Sequence, residues 1–109
     1  MTWDIFFFET LRGEKLEKEF IKSLPETAVS KISHHIDLLK TYGPQLGMPH
    51  SKRLQNNLYE LRIRGKNEIR IIYSFKGAKI YLLHAFKKKT QEIPEKEIKT
   101  AITRFTSLT

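Results

Sequence analysis

The spacing of apolar residues changes once along this chain, and that change restricts the fold class. Before about residue 43 the apolar side chains recur every three or four positions; from Leu58 onward they alternate. Leu16, Phe20 and Leu24 predict one face of a helix over 10–24, with Glu and Lys on its other faces. Ser23 and Glu26 have capping-box spacing around Pro25. Val29, Ile32, Ile36 and Leu39 then predict a second helix, ended near Tyr42 by Gly43-Pro44. Two helices joined by so short a turn should form a hairpin. Residues 43–57, rich in Gly, Pro, Asn and Gln, read as a loop.

Beyond that loop the period is two. In 58–64, Tyr59, Leu61 and Ile63 point one way and Glu60, Arg62 and Arg64 the other. In 69–75, Ile69, Ile71, Tyr73 and Phe75 share a face, with Arg70, Ile72 and Ser74 opposite. Turns are expected at Gly65 to Asn67 and at Gly77. The third strand, 79–86, is apolar on both faces and so should be central. These three strands make an antiparallel meander. The aromatic run from Trp3 to Phe8 predicts a first strand that belongs to the core rather than to a base-stacking platform. Pro94 opens a last helix with Ile98, Ala101, Ile102 and Phe105 on one face. The expected fold is α+β, in the order β-α-α-β-β-β-α, an antiparallel sheet with the helical hairpin packed on one face. No repeat, low-complexity stretch or linker interrupts it, so residues 1–109 are expected to be a single domain.

Charge says what the open face of such a sheet would meet. The chain carries 20 Lys and Arg against 12 Asp and Glu, a formal charge of +8. Six basic and seven acidic residues lie in 1–49, a net of −1. Fourteen basic and five acidic lie in 50–109, a net of +9. The asymmetry points to a polyanion, either nucleic acid or an acidic protein surface. With helices over one face, the opposite face is expected to display Arg62, Arg64 and Arg70. The run Lys87, Lys88 and Lys89 would stand just past the third strand, and Glu60 would be the one strong acid among them.

Several chemistries drop out. There is no cysteine, hence no thiolate nucleophile and no Cys-ligated zinc. His34 and His35 are adjacent on a helix and diverge by about 100°. The carboxylates fall mostly on solvated helix faces. No P-loop or GxGxxG is present, and no cofactor is expected. The longest apolar run, Ile5 to Phe8, is four residues, and with no basic stretch leading into an apolar one, no signal peptide is expected. A cytoplasmic protein without a membrane partner is expected. What this charge pattern can support is metal-free attack of a ribose 2′-oxygen on the neighbouring phosphate. Arginine would hold the crowded phosphate, while lysine or histidine would move protons. His84, next to the lysine run, joins the candidates by position.

The stretch from Leu54 to Arg62, the Arg70-Ile71-Ile72-Tyr73 strand, and Leu83-His84-Ala85-Phe86-Lys87-Lys88-Lys89-Thr90-Gln91 resemble the RelE/ParE toxin superfamily. The phage-derived, HigB-like branch is the most similar. There a Leu-Tyr-Glu-Leu-Arg phrase and an Arg-x-x-Tyr strand precede a strand ending in His-x-Phe-x-Lys-Lys-Thr. A helix with Pro and Glu-Ile follows, here from Ile93 to Ile98. The resemblance implies a RelE-like toxin fold and the toxin of a type II toxin–antitoxin system. It implies a metal-independent endoribonuclease acting on ribosome-bound mRNA, with a cognate antitoxin as partner, of HigA-like helix-turn-helix type. Carried over by position, Arg62, Arg70, His84 and Lys87 are the catalytic candidates. Lys52, Arg53, Arg64, Lys88 and Lys89 are the candidates for RNA or ribosome binding. Glu60 stands where some relatives have lysine, and Ile93 lies near where they carry a functional tyrosine. ParE-type members inhibit DNA gyrase without cutting anything, so a non-enzymatic gyrase inhibitor is the alternative function.

Overall fold

The computed structural model describes residues 2–66 and 68–108. Strand β1 is Asp4–Phe7, helix α1 Leu16–Lys22, and helix α2 Glu26–Tyr42. A short 3-10 turn, Gly43–Gln45, leads to β2, Ser51–Arg53. Strands β3 (Tyr59–Ile63), β4 (Ile69–Lys76) and β5 (Lys79–Lys87) form the meander, and α3 is Glu95–Ser107. The sheet order is β1-β5-β4-β3-β2. All neighbours are antiparallel except β1, which runs parallel to β5. The fold class is the α+β class expected, and β5 is interior as its two apolar faces require. Asn67, assigned by its sequence to the first meander turn, lies outside the described residues.

Four local expectations change. Helix α1 starts at Leu16 rather than Thr10, because Gly13 turns the chain at φ 83° and Thr10 N–H and O are spent on Glu14 and Gly13. Its buried face carries Glu17 and Ile21, while Leu16 is exposed. Ser23 makes no capping box. Its hydroxyl donates to the Phe20 carbonyl and closes α1, and Pro25 occupies the N-cap of α2 without a side-chain cap. Inside the expected loop, Ser51–Arg53 adds a fifth strand to the edge of β3.

The fourth change bears on the site. The helices do not all share one face. Ile32 and Leu39 of α2 and Ile21 of α1 bury one face of the sheet against Leu61, Ile71 and Leu82. Ala101, Ile98 and Phe105 of α3 bury the other against Ile72, Leu83 and Phe86. Each large apolar side chain left in water on that second face would forgo about 1.5–3 kcal/mol. The second face therefore stays open toward β3 and β2, and at β1, where Phe6 stacks on Tyr81 and remains exposed. One extra residue in β5, at the register shift opposite Ile72 and Tyr73, interrupts the ladder.

The end of α2 is pinned to β1. Trp3 N–H donates to the Lys40 carbonyl at 2.9 Å, and the Trp3 indole lies against Gly43, whose φ is 52°. A Cβ at Gly43 would strike that ring and force a left-handed backbone on a residue that resists it. Gly43→Ala should therefore cost more than about 1 kcal/mol, a fall in Tm of at least about 4 °C by thermal denaturation. Among the described residues, no helix is long and apolar enough to cross a membrane.

Candidate functional site

Strands β3 and β4 pair so that Arg62 and Arg70 are direct cross-strand neighbours on one face. Two guanidinium groups side by side repel. Glu60, two residues before Arg62 and so on the same face, answers both. Its Oε1 lies 3.6 Å from Arg62 Nε and its Oε2 3.4 Å from Arg70 Nε. Arg70 Nη2 donates to Glu68 Oε1 at 3.0 Å, and Arg70 Nη1 donates to the Ile69 carbonyl at 3.0 Å. Phe86 faces Arg70 from β5. Arg70 and Glu60 are each only 2% exposed. The expectation that Arg70 stands free on an open face is thus corrected: it is a buried cation held by two carboxylates. The Gly65 amide and Arg70 hold the Glu68 carboxyl below the usual carboxylate range, so that partner stays charged.

Arg62 is the member that reaches the surface. Its side chain keeps 14% exposure, and its Nη1 contacts Met48 Sδ at 3.5 Å. Glu60 Oε2 and the Nε atoms of Arg62 and Arg70 are buried with no hydrogen-bond partner among the described residues. Glu60 thus holds Arg62 by charge at a distance and leaves the guanidinium able to fork onto another anion. Arg62, Arg64, Arg70, Lys88, Lys89 and Gln91 line a groove of about 450 Å³ in which Glu68 is the one carboxylate. It adjoins a space of about 390 Å³ lined by Lys52, Glu60 and Ile93, and Arg62, Lys88 and Gln91 border both. The segment after β5 forms the far wall, tied to β4 by Lys88 N–H donating to the Glu68 carbonyl at 2.7 Å.

Of the residues singled out in the sequence, Arg62, Arg64, Arg70, Lys88, Lys89 and Lys52 come together here. Three others do not. Arg53 registers with Tyr59, on the pleat opposite Lys52 and Glu60, and donates to the Asn56 carbonyl. Lys87 registers with Ile69, one step out of phase with Phe86 and Arg70, and lines a different groove. His84 lines neither part of the basic groove. Its Nε2 lies 3.0 Å from Glu97 Oε1 and its Nδ1 3.6 Å from Glu17 Oε2, so it ties α1 and α3 to β5. Arg104 completes that tie by donating to Glu17 and to the Leu83 carbonyl. Tyr73, whose phase puts it on the apolar face, is buried there. Burial pushes its hydroxyl up to about 12, and it bonds to Ser51.

The His84 tie has a pH signature. Burial alone would lower its pKa, but the bonds to Glu17 and Glu97 outweigh burial and the net shift is upward. A group raised in the folded state stabilises fully below its unfolded value, about 6.5, and loses that contribution as pH rises through the folded value. Stability should therefore decline as pH rises from about 6.5 through the raised folded value, and His84→Ala should remove that slope in urea titrations at several pH values.

Two participants escaped the sequence reading. Glu68 falls between the expected turn, Gly65 to Asn67, and the strand that follows, although its place two positions before Arg70 puts it on the same side of the chain as that arginine. Gln91 lies beyond the lysine run, where no periodicity marks which side chains turn back.

Matched against models of protein families, residues 19–106 fit the phage-derived protein Gp49-like family (DUF891). The chain belongs to this family. It is a family of toxin-like proteins of RelE/HigB type, in agreement with the resemblance carried by the strand motifs. The matched stretch contains β2, β3, β4, β5 and all but the end of α3, hence every residue of the basic groove. No curated protein matches the chain. In this Gp49-like chain the groove combines the guanidinium groups of Arg62, Arg64 and Arg70 with the ammonium groups of Lys88 and Lys89, an arrangement suited to phosphate.

Proposed function

We propose that this Gp49-like protein is the toxin of a type II toxin–antitoxin pair and cuts ribosome-bound mRNA as a metal-independent endoribonuclease. The observation that carries this reading is Arg62: an arginine held beside a buried carboxylate, at the junction of a cation-rich groove and a space of mixed charge in which Lys52 and Lys88 meet Glu60 and Glu92. In the reaction, the 2′-hydroxyl gives its proton to a water molecule as its oxygen bonds to the adjacent phosphorus. The bond from phosphorus to the 5′-oxygen breaks and that oxygen takes up a proton from water, leaving a 2′,3′-cyclic phosphate and a 5′-hydroxyl. Arg62 grips the phosphate while it carries its greatest charge, where a fixed donor is worth most. Lys88, bordering both spaces, neutralises the departing 5′-oxygen. Arg70 and Glu60 position Arg62 and touch no substrate. Lys52, Arg64 and Lys89 hold neighbouring phosphates of the message or of the ribosome.

A free groove of this charge would bind nucleic acid indiscriminately, so an antitoxin that covers it or blocks ribosome entry is part of the proposal. The test is induction in growing cells, with primer extension on abundant messages and a parallel assay of DNA supercoiling. Cuts within reading frames are expected. Loss of supercoiling with intact messages would replace this reading by the gyrase-binding one. Lys88→Ala should weaken RNA binding at moderate salt. It should also flatten the log–log salt slope by about 0.7, one phosphate contact on a single strand, as read by titration at several salt concentrations.

A further inference from the structure

The segment after β5 has a second side. Lys89 and Thr90 border the groove of Arg62, and they also border a separate groove of about 390 Å³. There Phe20 of α1, Phe86 of β5 and Pro94 provide apolar surface, and Lys87 and Lys96 add cations. This second groove lies where the sheet edge is left incomplete. Strand β1 pairs with β5 only over Lys79 to Leu82, so the rest of β5 runs on past it. The one carboxylate in the groove, Glu97, already faces His84 Nε2 at 3.0 Å. Lys87, Lys89 and Lys96 are exposed and form no ion pair among the described residues.

We propose that this second groove is a subsite for the nucleotide flanking the reacting one. A single strand whose reacting phosphate sits at Arg62 crosses the ridge at Lys89 and Thr90. Its next base then lies against Phe20 and Pro94, and its phosphates meet Lys87 and Lys96. The inference rests on the RNA-cutting reading and extends it from one phosphate to a strand path. Apolar surface rimmed by cations is what a single strand requires, since every base has an apolar face and every linkage a negative charge. An acidic peptide would also meet the lysines, but the continuity with the Arg62 groove through Lys89 favours a strand.

The test uses 2′-O-methyl RNA oligonucleotides, which bind without being cut, at lengths of three and nine nucleotides. The parent should bind the longer at least about tenfold more tightly, in the range a stacked base contributes. In the double variant Lys87→Ala/Lys96→Ala the affinity for the nine-mer should fall to that variant's affinity for the three-mer. Its salt slope should drop by about 1.4, two phosphate contacts. Lys31→Ala/Lys40→Ala, on α2, serves as the charge-matched control and should keep the length dependence. Affinity independent of length, or unchanged in the double variant, overturns the subsite. So does binding of an acidic peptide, but not of RNA, that depends on Lys87 and Lys96. Cleavage of ribosome-bound message by the same parent preparation judges the underlying reading separately.

Discussion

Arg70→Ala should destabilise the fold by about 3 kcal/mol, because it removes the more deeply buried of the two counter-charges of Glu60 and leaves only Arg62, at 3.6 Å, to answer that buried carboxylate. For a chain of this size that is a fall in Tm of about 12 °C. The same change at the exposed Arg64 should move stability by no more than about 0.5 kcal/mol. Two further variants distinguish a buried ion pair from mere loss of packing. Arg70→Lys keeps the charge but cannot hold Glu60, Glu68 and the Ile69 carbonyl at once, and should recover only part of the loss. Glu60→Leu/Arg70→Met removes both charges together and should be much more stable than Arg70→Ala alone. Denaturant unfolding of the parent and the four variants reads all of this. Equal stability of Arg70→Ala and the parent would mean that Glu60 does not need this partner.

The second large effect is on activity. Arg62→Ala should lower cleavage by about 10²-fold or more, the scale of a donor used mainly in the transition state. Arg62→Lys should restore a minor part, since an ammonium lacks the planar fork. Stability should suffer less than at Arg70, because Arg62 reaches solvent and Glu60 retains Arg70 as its counter-charge. The two arginines, neighbours across one strand pair, thus divide their work. Arg70 supports the charge that orients Arg62, and Arg62 meets the substrate.

That division was not legible in the sequence, although most of the fold was. Alternation in 58–64 and 69–75 placed Arg62 and Arg70 on one face, and the two apolar faces of 79–86 placed β5 inside the sheet. The same two-faced pattern also demanded cover on both sides. Ile72, Leu83 and Phe86 needed a helix, and the amphipathic α3 was available to supply it. Treating that face as open left Arg70 exposed in expectation and buried in fact. Phase along a strand identifies a face, but how much of that face a neighbouring helix covers depends on where the connection turns. For the same reason Lys87 and Lys88, adjacent in the chain, end in different grooves. His84 had no local signal at all. Its partners Glu17 and Glu97 lie far away in sequence and meet it only because α1 and α3 converge on the end of β5.

The most direct measurement compares parent, Arg62→Ala and Lys88→Ala on ribosomes programmed with a defined message, each protein verified as folded by circular dichroism. Primer extension should show cuts within the reading frame for the parent. Their rate should be reduced about 10²-fold or more in Arg62→Ala and more mildly in Lys88→Ala. Cleavage by folded Arg62→Ala at the rate of the parent, or no cleavage by the parent itself, would contradict the assignment of this groove to RNA cutting.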